Sequence, residues 1–190
     1  MKTKKLVLCV LLFVLSACQT TSPSKIKNYD TQGNLQSNYA LGCVGIDDVS
    51  PSHSPADLFS GLTQCIEQKE YEKASDLYLV AMSYGYFDTR RVADRSAHQA
   101  VMMLRMEAFA NQEQQTLNHL LAEITQKTTD NKGVCDYIKD IGMPTYYPSY
   151  MIQHGIGAFT EQPHSNGLID DFDAETAWQK ALSVVVNCSS

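Results

Sequence analysis

Lys2, Lys4 and Lys5 precede an unbroken apolar stretch from Leu6 to Leu15, which closes on the small residues Ser16 and Ala17 before Cys18. Crossing a hydrocarbon layer of about 30 Å takes roughly 20 apolar residues. This stretch is too short for that, and residues 1–17 read as a secretory signal peptide. The reading constrains what the rest of the chain can fold into, because it sends that part to an oxidising compartment where cysteines pair. Cys9 leaves with the signal. Apart from Cys18, the remainder holds Cys43, Cys65, Cys135 and Cys188, an even set that predicts a disulfide framework. Four cysteines allow three connectivities. Cys43–Cys65 with Cys135–Cys188 is the favoured one, since each bond would pin a flanking segment to a nearby helix. Zinc sites take cysteines two to four residues apart, and no two of these four are that close. Structural disulfides therefore take precedence over a metal centre.

The string Leu15-Ser16-Ala17-Cys18 resembles the lipobox of bacterial lipoproteins. The resemblance implies diacylation of the Cys18 thiol, cleavage before it, and acylation of the new amino terminus. At about 0.8 kcal/mol per buried methylene, several acyl chains make such an attachment stable. In lipoprotein families an Asp just after the cysteine favours inner-membrane retention. Gln19 stands here, so the implied address in a Gram-negative host is the outer membrane, lipid-anchored and periplasm-facing.

The whole chain carries 15 basic and 21 acidic residues; without the three leader lysines the balance is 12 against 21, a net −9. A nucleic-acid partner needs a basic footprint, so that class is excluded, and electrostatic attachment to anionic lipid is disfavoured. A basic protein partner is compatible with such a surface, and so is plain solvation of an acidic one.

From Gln19 to Tyr39 the chain is rich in Ser, Thr, Asn, Gln and Lys. It has too little apolar surface to offset its ordering entropy, so residues 18–39 read as a lipidated, flexible tether and residues 40–190 as the domain. Ala40 to Val49 is a short apolar lead-in. Ser54-Pro55-Ala56-Asp57 combines an N-cap, a proline at the first helical position and an acid three residues after the cap. Leu58, Leu62, Cys65 and Ile66 continue that first helix. Tyr71, Ala74, Leu77, Tyr78 and Ala81 mark a second, with Gly85 as its stop. Asp88 or Thr89 caps a third, carrying Val92, Ala97, Ala100, Val101, Leu104 and Ala108. Leu117, Leu120, Leu121 and Ile124 lie in a fourth and Val134 to Ile141 form a fifth. Prolines and glycines between Gly142 and Gly167 predict a long ordered loop around one short helix at 150–154. Asp173 caps a last helix ending near Cys188. No segment alternates like a strand. The predicted fold class is all-α: a single disulfide-stabilised helical bundle or array of about six to seven helices. Tyr71, Ala74 and Ala81, after an apolar first helix, resemble one tetratricopeptide-type hairpin, but no second copy follows at a period near 34 residues.

Two segments carry the candidate site residues. In the run from Asp88 to Gln99, one continuous helix would put Arg91 beside Arg95, Arg90 beside Asp94, and Asp94 beside His98. Such a face offers guanidinium grips on partner carboxylates. The same spacing also satisfies internal salt bridging, and His98 oriented by Asp94 has the makings of a general base. Tyr146, Tyr147 and Tyr150 surround Pro148 in a braced loop, suited either to recognition or to packing on a helical core. His53, His98, His119, His154 and His164 are scattered without a helical metal-ligand spacing. Asp170, Asp171, Asp173 and Glu175 lack the pattern of a calcium loop and suit a helix N-terminus. The functional expectation is a membrane-anchored, non-catalytic protein-binding lipoprotein of the envelope. It takes no cofactor, and one concrete form is an immunity-type inhibitor of a periplasm-acting toxin. An envelope-assembly scaffold is the alternative, and an envelope enzyme is a third reading.

Overall fold

The computed structural model describes residues 31–160 and 166–189; the predicted signal peptide, Cys18 and His164 lie outside them. The described residues form seven α-helices: α1 Pro55–Glu67, α2 Tyr71–Arg91, α3 Ala100–Phe109, α4 Gln114–Thr129, α5 Lys132–Ile141, α6 Ser149–Ile152 and α7 Ala174–Val186. Short 3-10 turns span Ile46–Asp48, Arg95–Gln99 and Ile156–Phe159. Among the described residues the only strand-like pairing is an isolated antiparallel bridge between Val92 and Leu168. The fold is all-α.

Helix α2 is the axis of the domain, with α1, α7 and α4 laid along it. Its neighbours bury Leu77, Leu79, Val80, Tyr84 and Phe87 almost completely. The Trp178 ring of α7 sits 5.6 Å from Tyr84 and 6.1 Å from Phe87, in the tilted and edge-on arrangements that aromatic quadrupoles favour. The α1 start is the predicted one. The Ser54 hydroxyl accepts from Asp57 N–H while the Asp57 carboxylate accepts from Ser54 N–H, a reciprocal capping box. Asp57 has a second task, since its other oxygen accepts from Asn38 and Tyr39 N–H at 2.7 and 2.8 Å.

That second task shortens the predicted tether. Residues 31–39 lie on the domain: Leu35 donates its N–H to the Tyr150 carbonyl at 3.1 Å and packs against the core. Leu35 and hydrogen bonds of Thr31, Asn34 and residues 37–39 with the domain work against the ordering entropy that composition alone assigned to this stretch.

The two disulfides are the favoured pair. Cys43–Cys65 closes a separation of 22 residues and ties the lead-in segment to α1. Cys135–Cys188 closes 53 and ties the C-terminus to α5. On the chain-entropy account they contribute about 3 and about 4 kcal/mol.

Gly85 does not end the second helix. It lies inside α2, where a Cβ would come within 2.6 Å of a Val101 methyl. The missing side chain lets α2 and α3 approach closely. The helix ends seven residues later, where Val92 turns extended (φ −84°, ψ 125°) to pair with Leu168. Asp88 is therefore a buried residue of the last turn of α2 rather than a cap, and Asp94 caps the next segment through Ser96 N–H.

A candidate binding cleft at the end of α2

The break at Val92 splits the predicted charged face. Arg90 and Arg91 belong to α2, while Arg95 and His98 belong to the 3-10 turn beyond it, so the four never share one helical surface. What joins the two candidate segments is the buried carboxylate of Asp88. One oxygen accepts from Arg91 Nε at 2.7 Å; the other accepts from the Tyr146 and Tyr150 hydroxyls at 2.7 and 2.8 Å. The Arg91 guanidinium lies 5.0 Å from the Phe87 ring centre and 5.1 Å from that of Tyr146, and it also donates to the Tyr146 carbonyl. Burial pushes the Asp88 carboxyl above its ordinary range, opposed by Arg91 and the two hydroxyls. Burial and the Asp88 charge raise both tyrosines well above theirs, so they remain hydrogen-bond donors.

This hub uses up residues expected at a recognition surface. Tyr150 is buried, Tyr146 turns its hydroxyl inward, and Arg91 is fixed between two rings. Asp94 is also spent internally: it accepts from the Ser96 N–H and hydroxyl at 2.9 and 2.6 Å and from Gly157 N–H at 2.8 Å. Partial burial raises its carboxyl, but those donors outweigh it and hold Asp94 below the ordinary aspartate range. A Cβ at Gly155 would lie 2.4 Å from this carboxylate, so only glycine lets the turn come so near. His98 does not hydrogen-bond Asp94; its Nε2 sits 2.9 Å from the Val92 carbonyl, which fixes the proton on that nitrogen. The predicted Asp94–His98 base pairing is not formed.

Arg90, Arg95 and Tyr147 do remain exposed, and neither arginine makes an ion pair among the described residues. Tyr147 stands at a cleft of about 720 Å³ whose walls come from 92–94, 96, 147–160 and 166–167; neither arginine lines it. Val92, Ile152 and Ala158 supply an apolar floor, and Tyr147 and Ile156, 49 and 68 % exposed, line it. The Tyr147 hydroxyl donates to the Asn166 carbonyl at 2.6 Å and Ala93 N–H to the Gly167 carbonyl at 3.0 Å, which holds the two walls together. Ile156 escaped sequence reasoning because it follows no helical phase; its one signal was an apolar residue between two glycines in a polar loop. The acidic residues 170–175 are exposed, and Asp173 caps α7 as expected.

Among the described residues no group of three His, Cys, Asp or Glu side chains could hold a metal, and no helix is long and apolar enough to cross a membrane. No family model, curated protein or solved structure matches the chain.

Proposed function

We propose that this chain is a lipid-anchored protein-binding lipoprotein of the bacterial envelope, held at the outer membrane through Cys18 and facing the periplasm. The observation that carries the binding part is the cleft at the end of α2. There a rigid, internally hydrogen-bonded wall presents the exposed Tyr147 and Ile156 beside an apolar floor. Rigid, exposed anchors of this kind, an aromatic ring above all, are what gives binding energy at interfaces. One concrete form is an immunity-type inhibitor, whose partner is a toxin delivered into the periplasm.

The test is affinity capture from envelope extracts with the mature chain, comparing the unaltered protein with the cleft variant Ile156→Asp. The proposal expects a discrete partner on the first that is lost on the second while the helical signal is unchanged. Identical capture by both overturns the assignment of this cleft. For the immunity form, deletion should harm cells only when the toxin is present; a constitutive envelope defect favours the scaffold reading.

A further inference from the structure

Helix α3 is apolar on both its inner and its outward face, with Arg105 and Glu107 between them. Val101, Leu104 and Ala108 are buried against the domain, while Met102, Met103 and Met106 stand outward, 46, 39 and 58 % exposed. A helix apolar on both sides is ordinarily covered on both sides, and methionine is the side chain that adapts most readily to a second surface.

The arrangement around the axis identifies the cover. At 100° per residue Met106 marks the middle of the outward face, with Met102 about 40° to one side and Met103 about 60° to the other. Arg105 and Glu107 follow at about 100° on opposite flanks. A two-fold axis parallel to α3 exchanges the two flanks. It would set Met106 against its own copy, Met102 against Met103, and Arg105 against Glu107 on each side. Antiparallel pairing would instead bring Arg105 to Arg105. The flank bearing Glu107 also opens into a groove of about 320 Å³ between α1 and α3, lined by Phe59, Ser60, Gln64 and Leu104 among others. That groove would receive the other copy's Arg105 stem, whose guanidinium already reaches across Met102 at 2.9 Å. Knob, groove and opposite charges thus occur on one patch, as an interface between identical chains requires.

We infer that α3 is the docking surface for a second copy of this chain, paired in parallel about a two-fold axis along the helix. The net negative charge of each copy works against association, but at physiological salt the screening length is about 8 Å, leaving the short Arg105–Glu107 contacts in force. The patch is small, which places the pair in the weak, transient class.

The test uses the purified chain with Cys9 and Cys18 replaced by serine, at physiological salt, so that the remaining native cysteines are paired in disulfides. In a two-fold pair only residues near the axis cross-link to themselves. Met106→Cys with a short bismaleimide should give a species of twice the mass, and Val184→Cys, equally open to solvent on α7, should not. Arg105→Glu and Glu107→Arg should each lower that yield about fivefold by setting like charges together. The double reversal should restore it, and the helical signal checks that each variant is folded. Absence of the Met106→Cys dimer, a cross-link to a protein of different mass, or failure of the double reversal to rescue overturns the inference.

Discussion

Asp88 ties two parts of this structure together, because the Arg91 guanidinium one turn on and two tyrosine hydroxyls from a distant loop meet on one carboxylate that water does not reach. Asp88→Ala would leave the Arg91 guanidinium, 12 % exposed, without its counter-charge. Removing one partner of a buried pair costs about 3–5 kcal/mol, and urea unfolding should show it as a lowered midpoint with unchanged slope. Tyr150→Phe removes one donor of three and should cost about 1 kcal/mol; equal losses from the two variants would contradict the hub. Asp94 supplies a pH-dependent counterpart. Its carboxyl is held below the ordinary range in the folded chain, so the stability it contributes is present above that range and lost as pH falls through the folded value. The midpoint difference between the unaltered protein and Asp94→Asn should be present at neutral pH and vanish in acid. The cap role of Ser54 was legible in the sequence because its partners lie within four residues. The hub was not, because Asp88 meets Tyr146 and Tyr150 58 and 62 residues away.

At the scale of elements, periodicity located α1, α4, α5 and α7 but misplaced the junction between α2 and α3. A glycine near the end of an apolar pattern has the same local signature whether it stops a helix or admits a neighbour. Here the neighbour is Val101. Alanine in a helix interior is otherwise better than glycine by roughly 0.5–1 kcal/mol, whereas overpacking costs about 1–3 kcal/mol. Gly85→Ala should therefore destabilise, and Val101→Ala in the same chain should relieve part of that cost, seen as a coupling in a double-mutant cycle of thermal or urea unfolding. A stabilising Gly85→Ala would mean that α2 and α3 do not touch there. In α3 the face named from the sequence, Ala100, Val101, Leu104 and Ala108, is the one that meets the domain, whereas the outward methionines were not singled out.

For the molecule as a whole, the disulfides fasten the two parts that helix packing holds least: the lead-in before α1 and the end after α7. Replacing Cys135 and Cys188 by alanine should cost about 4 kcal/mol on the chain-entropy account, and Cys43 with Cys65 about 3 kcal/mol. Calorimetry under oxidising conditions orders them. Cysteine parity gave this framework from the sequence, and composition gave the acidic balance. The cleft was only partly foreseen. Both of its segments were singled out, but of the candidate site residues named there only Asp94 and Tyr147 line it, while Arg90 and Arg95 are exposed away from its lining and Tyr146 and Tyr150 went to the interior. A tyrosine suits a surface and a core equally well, and only the position of Asp88 decides between them.

The binding assignment is tested most directly by photo-cross-linking in living cells, with a benzophenone side chain placed at Ile156 in the cleft or at Leu121 on the remote α4. Both positions are more than 60 % exposed. A single discrete adduct from Ile156 and none from Leu121 is the predicted result. Adducts from Leu121 alone, or the same adducts from both positions, would contradict a binding surface at the end of α2.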